Sequence, residues 1–302
     1  MPNWRCGTPF IPSPQSGYYV FDQAGGGTRG EEHGVMDFSS SSPDPGLFPH
    51  QDFHHCLNKA FEINSRQLFT CGDLAVTDNL KRTLVTRLAD SQLFAKAELI
   101  MLTTGIQHAP GILALMPFPN GRTEILVEQP SYNLFLRFLE AERLPVSWIM
   151  RTSGGINLDE LEYVVEDDYM ADLGEVKRFE PIYALDRTSH VVCLKSFSKI
   201  IFPGLRLGAA VLPELLVDTF RQYSRFAETS VLSQAVLDVY IKNGMDARHC
   251  RSMYKHYAAR NQRLHKALRK HDPEHWIEAQ SAEEGIRAIV EEVGHAAARS
   301  GR

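Results

Sequence analysis

The stretch KSFSKIIFPGLRLGAAVLP, residues Lys195–Pro213, follows one apolar run, VVCL, and ends in another, LGAAVLP. It places Lys199 in a turn with two serines and places Arg206 seven residues later. Short and nearly continuous apolar runs are typical of parallel strands that are buried on both faces. The stretch therefore predicts a buried strand ending at Lys195, a polar turn, and a second buried strand.

The residue types of this turn suit a site for a phosphorylated aldehyde. A lysine attacks an aldehyde only as the neutral amine, so its pKa must fall from about 10.4, and burial beside a cationic ring favours that fall. Arg206 could hold a phosphate dianion with two parallel hydrogen bonds, and the hydroxyls of Ser196 and Ser198 could add others. A surface lysine and an arginine paired with a carboxylate would explain the same residues, so the rest of the chain must decide.

Three other stretches supply complementary parts. In YVVEDDYMADLG, acidic residues at the end of a buried strand need a positive partner such as a pyridinium nitrogen, although a solvated acidic loop is the alternative. In TTGIQH, the amides of Ile106 and Gln107 at a helix start could bind an anion. In EQPSYNLF, Tyr132 could stack on a planar cofactor or simply pack in the core.

Strand and helix patterns alternate through the middle of the chain, which predicts an α/β fold with a largely parallel sheet. After Pro213 we predict three long helices, Glu214–Phe226, Ser230–Asn243 and Asp246–Lys270. We assign residues 1–50 to a linker and strap with one short strand at GYYVF, and residues 51–225 to a large domain that binds the cofactor. Residues 226–302 would form long helices leading into a truncated small domain.

The four stretches, in this order, resemble the fold-type I pyridoxal-phosphate aminotransferases, and in particular the aminotransferase-like domain of MocR-type regulators of the GntR superfamily. The likeness runs from about Ser16 to His271. It implies pyridoxal 5'-phosphate (PLP) as the cofactor and a doubly wound, mostly parallel sheet with a truncated helical small domain. By this resemblance Lys199 would form the Schiff base and Asp167 would pair with the ring nitrogen. Tyr169 would bond the ring oxygen, and Tyr132 would stack on the ring. The phosphate would be held by Gly105, Ile106, Gln107, Ser196, Ser198 and Arg206.

The chain departs from that family at several places. GGINLDELEYVVEDDY passes from a helix pattern into a strand without a turn, so a strand-and-helix unit near residue 162 is expected to be missing. Pro110 is predicted in the second turn of a helix, where it would cost about 3 kcal/mol. Cys71 stands where the family has a tyrosine that reaches the neighbouring subunit's phosphate. We also expect the helix-turn-helix and part of the small domain to be absent.

Composition limits the partners and the compartment. The net charge of −5 gives no electrostatic reason for a nucleic-acid or acidic-membrane partner, and no apolar run is long enough to span a membrane. Five scattered cysteines favour reduced thiols, so we expect a cytoplasmic protein, and the resemblance implies a homodimer. His50, His54, His55 and Cys56 match no standard zinc spacing, and we expect no metal site.

Three functions are consistent with these observations. The first is a PLP-dependent aminotransferase that moves an amino group between an amino acid and a 2-oxo acid through a Lys199 Schiff base. The second is an effector-sensing domain that binds PLP and an amino acid or amine without turnover, as in a regulator that lacks its DNA-binding module. The third is a degenerate fragment with neither activity.

Overall fold

The computed structural model describes residues 10–13, 17–20, 36–37, 44–70, 74–129, 131–150, 161–168, 172, 181–198, 200–224 and 229–271. It divides into two compact units, Met1–Pro45 and Gly46–Arg302. The first unit contains the antiparallel strands β1 (Phe10–Ser13), β2 (Gly17–Val20) and β3 (Met36–Asp37), in that order. The strand predicted at GYYVF is confirmed as β2.

The second unit alternates helices and strands over most of its length. Its strands are β4 (Ile100–Thr103), β5 (Ile125–Gln129), β6 (Val146–Met150), β7 (Val164–Asp168), β8 (Val191–Ser196) and β9 (Gly208–Val211). Its helices are α1 (His50–Ile63), α2 (Ala75–Ala89), α3 (His108–Leu115), α4 (Asn133–Ala141), α5 (Ile182–Leu185), α6 (Glu214–Tyr223), α7 (Val231–Lys242) and α8 (Met245–His271). The three long helices predicted after Pro213 are thus confirmed as α6, α7 and α8, although α6 ends at Tyr223.

Four strands form the central sheet, in the order β4-β9-β8-β7. β7 and β8 are parallel, whereas β9 runs antiparallel to both of its neighbours. Residues 197–207 connect β8 to β9, and this connection is too short for the crossover of about a dozen or more residues that parallel neighbours need. The chain therefore reverses direction at the turn that follows β8.

β5 and β6 form a separate parallel pair, in register from Ile125 with Val146 to Gln129 with Met150. Within the described residues, no ladder joins this pair to the four-stranded sheet. The chain reaches β7 from β6 through residues 151–163, of which 151–160 lie outside the described part. The interruption of the sheet falls where the sequence predicts a missing strand-and-helix unit.

Helices cover both faces of the central sheet, as in a doubly wound α/β fold. On one face α1, α2 and α7 pack against β8 and β9 around Leu80, Leu84 and Leu88 of α2, which are spaced four residues apart. On the other face α3 and α6 pack against Val192 and Leu194. Alternate residues of β8 enter the two cores because side chains of a strand point to opposite faces.

Pro110 does not interrupt a helix, and the prediction that it would was wrong. Helix α3 begins at His108, so Pro110 occupies its third position. The first N–H groups of a helix have no intrahelical acceptor, so proline removes no hydrogen bond there. None of the helices in the described part of the chain combines the length and apolar composition of a membrane span.

Candidate functional site

Apart from Tyr132, the predicted site residues that the structure describes come from one edge of the central sheet, where β4, β7 and β8 end. Thr103 of β4 pairs with Gly208 of β9, and Gly208 pairs in turn with Ser196 of β8. On the far side of β8, Lys195 pairs with Asp168 of β7. With strands about 4.8 Å apart, this register gathers residues from distant parts of the sequence along one edge.

The turn after β4 forms the first part of the site. Gly105 has a φ of 73°, and its amide donates to the Thr103 carbonyl over 2.8 Å. Arg206 also has a positive φ, 50°, and its Nη2 lies 3.4 Å from the Thr104 carbonyl oxygen. A Cβ on Gly105 would come within 2.7 Å of Arg206 Nη2. The guanidinium therefore lies directly against the glycine turn, and the positive φ of Gly105 together with this close approach favours glycine there.

Gly208 lets the same turn approach the sheet. A Cβ at this position would lie 3.0 Å from Thr103 Oγ1 and 3.1 Å from the Ile106 amide nitrogen. The buried hydroxyls of Thr103 and Thr104 have no hydrogen-bond partner among the described residues. We call residues 103–107, Arg206 and Gly208 the anion cradle, because its amides, hydroxyls and guanidinium all donate hydrogen bonds.

The two threonines and Gly208 were not among the site residues predicted from the sequence. Thr103 and Thr104 stand directly before Gly105, at the end of a strand, and that position was the signal for them. Gly208 carries no local signal, because its role depends on a turn that lies about a hundred residues earlier in the chain.

Tyr132 stands at the start of α4 and accepts a hydrogen bond from Gln107 Nε2 to its hydroxyl, over 2.7 Å. Its side chain is 51% exposed, so the alternative interpretation as a core residue was wrong. Nearby, Gly111 of α3 lies close to the Phe138 ring of α4. These two contacts join α4, the helix between β5 and β6, to the anion cradle and to α3.

The lysine turn follows β8, which ends at Ser196 and not at Lys195 as predicted. The Ser198 amide donates to Ser196 Oγ over 3.3 Å, and the Ile201 amide donates to the Phe197 carbonyl over 3.0 Å. These bonds link the described residues that flank position 199. Lys199 itself lies outside the described residues, as do Tyr169 and Cys71.

The three acidic residues of β7 have different environments. Glu166 accepts the amide hydrogens of Ile182 and Tyr183, each over 3.0 Å, and Asp168 accepts a hydrogen bond from Lys195. The alternative interpretation as a solvated acidic loop is therefore wrong for these two. Asp167 points to the opposite face, the face of Leu194.

Asp167 has no cation or hydrogen-bond donor in contact with it among the described residues. It remains accessible at the sheet edge, and Val165, two residues earlier on the same face, is 45% exposed. Partial burial, together with repulsion from Asp168, raises the pKa of Asp167 to about 6. A positive group placed beside it would remove this penalty.

Lys195 belongs to a buried ionic network on the face of the sheet that α1, α2 and α7 cover, which we call the packed face. Its Nζ lies 2.7 Å from Asp168 and 2.9 Å from Asp172, and Arg87 of α2 bonds Asp172 over 2.7 Å and also pairs with Asp246 of α8. Burial acts to lower the pKa of Lys195, but the two aspartates outweigh it and the pKa lies above its ordinary value.

This buried network was not predicted from the sequence either. The signal for it was a lysine inside an apolar strand, since a buried ammonium group must be paired. In the part of the chain that is described, no three His, Cys, Asp or Glu side chains come together as metal ligands.

Comparison with known proteins connects this geometry to a family. The model of the aminotransferase class I and II family matches residues 163–282. The HTH-type transcriptional regulator YcxD of Bacillus subtilis is 39% identical over an alignment that covers 85% of this chain and 68% of YcxD. The chain belongs to the family of MocR-type regulators with an aminotransferase-like domain. MocR, a regulatory protein of rhizopine catabolism from Rhizobium meliloti, is 30% identical over an alignment that covers 48% of this MocR-type chain and 31% of MocR.

Solved structures agree on the fold. The kynurenine aminotransferase of Pyrococcus horikoshii superimposes with a TM-score of 0.66 at 21% identity, covering 76% of this MocR-type chain and 69% of the enzyme. LysN, the α-aminoadipate aminotransferase of Thermus thermophilus, superimposes with a TM-score of 0.66 at 20% identity. The superposition covers 78% of this chain and 72% of LysN. The α/β architecture predicted from the sequence is therefore confirmed as that of a fold-type I aminotransferase.

Proposed function

We propose that this chain binds PLP at the edge of the central sheet and uses Lys199 to transfer an amino group between an amino acid and a 2-oxo acid. The observation that carries the proposal is the anion cradle, where the Arg206 guanidinium lies on the Gly105 turn beside two buried threonine hydroxyls without partners among the described residues. An unsatisfied buried hydroxyl is costly, so these groups favour a bound acceptor.

The cradle fits a phosphate dianion in charge and in donor chemistry. Arg206 supplies a planar fork of donors, and the Ile106 and Gln107 amides find no backbone acceptor among the described residues. Thr103 and Thr104 supply hydroxyls from the strand end. Ser196 and Ser198 would face the same anion from the lysine turn.

Asp167 suits the other end of the cofactor. When bound, PLP supplies an electron sink that stabilises negative charge at the α-carbon of an amino acid. An aspartate beside the ring nitrogen keeps that nitrogen protonated, and Asp167, unpaired within the described part of the chain, has the charge for this role. Tyr132, held by Gln107, would lie against the ring, and Tyr169 would bond its oxygen.

Of the two lysines in KSFSK, only Lys199 is suited to the chemistry. Lys195 is paired with two aspartates, and its raised pKa keeps it protonated at neutral pH. A nucleophile and proton carrier must be a neutral amine for part of the cycle. Lys199 would hold the cofactor covalently and would then move the proton at the substrate α-carbon.

The proposal is tested by titrating the purified protein with PLP, reducing it with borohydride and mapping the modified peptide. We expect a visible absorbance band and one modified lysine, Lys199. Lys199→Ala should abolish both, whereas Lys59→Ala, at an exposed position of α1, should leave both unchanged. A colourless protein, or modification spread over surface lysines, would refute the proposal.

A second candidate function is amine sensing without turnover. It is favoured by the relatives YcxD and MocR, which are named as regulators and not as enzymes. Stoichiometric amounts of PLP-loaded protein would be mixed with a panel of amino acids and the released 2-oxo acid measured. Release supports amino-group transfer, whereas a spectral change that persists without release supports sensing.

A further inference from the structure

His249 makes a contact with the lysine turn that the proposed function does not use. It lies on α8, is only 8% exposed, and its Nε2 is 2.6 Å from the carbonyl oxygen of Ile200, the residue after Lys199. A carbonyl oxygen can only accept, so Nε2 carries the hydrogen and donates it. The bond therefore joins the lysine turn to a helix 49 residues further along the chain.

Three hydrogen bonds hold the described residues on the two sides of position 199. Two of them are local, from Ser198 to Ser196 Oγ and from Ile201 to the Phe197 carbonyl. Ile200 and Ile201 are also anchored, because both are almost fully buried in the core. The bond from His249 is the third, and it fixes the carbonyl orientation directly after the lysine.

The ring of His249 is suited to a permanent contact. Burial lowers its pKa, and this outweighs the bond to Ile200 and the nearby carboxylates of Asp246 and Asp52. The imidazole is therefore neutral near pH 7 and keeps the tautomer with a hydrogen on Nε2. Asp246, one helical turn earlier, is held by Arg87, so the start of α8 is itself immobilised against α2.

We propose that His249 is a positioning residue that holds the lysine turn so that Lys199 is directed at its aldehyde. This inference rests on the proposed function of Lys199. It assigns to α8 a direct role in setting the site, since a shift of this helix would move the Ile200 carbonyl and the turn with it. His249 itself would not contact the cofactor.

The test compares two variants of the whole chain. His249→Phe keeps the ring volume and removes the donor, whereas His249→Gln keeps an N–H donor on a side chain of similar reach. We expect His249→Phe to slow borohydride-trapped attachment of PLP at Lys199 by about tenfold, the equivalent of one lost hydrogen bond. We expect the attachment rate of His249→Gln to lie within about threefold of the wild-type rate. Equal rates in the wild type and both variants, or equal slowing in both variants, would overturn the proposal.

A second measurement needs no cofactor. In the PLP-free protein, the Ile201 amide should exchange with solvent about tenfold faster in His249→Phe than in the wild type, because the turn opens more often. Amides of α2 should be unaffected in a folded variant. Faster exchange throughout the protein, or none at Ile201, would contradict positioning. If the wild type shows no PLP attachment at all but the exchange result holds, the proposed function fails and the contact stands.

Discussion

Acidic residues on the two faces of β7 differ in whether they have a cationic partner. On the packed face, Asp168 and Lys195 are buried together and joined to Asp172 and Arg87. On the other face, one residue away in the sequence, Asp167 has no partner among the described residues and a pKa raised to about 6. The two carboxylates have different environments because successive side chains of a strand point to opposite faces of the sheet.

The difference indicates that, at the β7 edge of the sheet, the packed face stabilises the fold and the face of Asp167 is open for chemistry. Further from this edge, α3 and α6 cover the same face at Val192 and Leu194. A buried ion pair with further partners is costly to break, because removing one member leaves a charge without compensation. An unpaired carboxylate at an accessible edge costs stability and is kept where a ligand supplies the missing charge. Substitutions on the two faces should therefore affect different measurements.

The largest effect is expected on the packed face. Lys195→Met leaves Asp168 and Asp172 facing each other without their shared cation, and should lower the free energy of unfolding by about 3–5 kcal/mol. Since a domain has about 5–15 kcal/mol in total, this loss would be a large share of the stability. Denaturant unfolding of the PLP-free chain measures this loss.

The control for Lys195 is Lys59→Met, which breaks an exposed pair with Glu62 and should cost less than about 1 kcal/mol. Adding Asp168→Asn to Lys195→Met should recover part of the stability, because it removes the charge of one of the two carboxylates that lost Lys195, while Asp172 keeps its ion pair with Arg87. Equal losses for Lys195→Met and Lys59→Met would show that the buried network does not stabilise the fold.

An intermediate effect is expected at the anion cradle. Gly105→Ala imposes a positive φ on alanine and brings its Cβ within 2.7 Å of Arg206 Nη2, so the guanidinium must move. We expect about 1–2 kcal/mol of destabilisation, and PLP affinity lower by about tenfold. Thermal unfolding and a PLP titration measure the two quantities.

Gly121→Ala is a matched control for Gly105, because Gly121 also has a positive φ, 69°, but has no atom within 4 Å of the added Cβ. It should show a similar backbone cost and no loss of PLP affinity. If both variants bound PLP as the wild type does, the contact between Gly105 and Arg206 would have no role in binding the cofactor.

The smallest effect on stability is expected on the open face. The pKa of Asp167 is raised from 3.8 to about 6 in the folded chain, so its charge begins to oppose folding as the pH rises above about 4, and the penalty is complete above about 6. Asp167→Asn should raise the Tm of the PLP-free protein at pH 7 by no more than ~2 °C and should leave it unchanged at pH 4.

Asp168→Asn provides the comparison on the packed face, where it should lower the Tm at pH 7 by removing a partner of Lys195. With PLP present the sign should reverse for Asp167→Asn, because the cationic ring now favours the carboxylate. A lower Tm for Asp167→Asn without the cofactor would show that the wild-type carboxylate has a partner after all.

Several features could be predicted from the sequence because they depend on neighbours in the chain. The buried strands, the long helices and the turn with a lysine and two serines follow from apolar periodicity and local residue types. The resemblance of four short stretches to aminotransferases also depends on local motifs. The error at Pro110 was of the same local kind, since it came from placing the start of α3 too early.

What the sequence by itself determined is the set of elements and the residue types at their ends, since these are dictated by side chains within a few positions of each other. Only the tertiary structure decided that Gly208 packs against the Gly105 turn and that His249 bonds the Ile200 carbonyl. The tertiary structure also decided that Lys195 is paired, whereas Asp167 has no partner within the described residues. These contacts join residues tens to a hundred positions apart. Their partners are selected by strand register and helix packing, which no short window of the sequence contains.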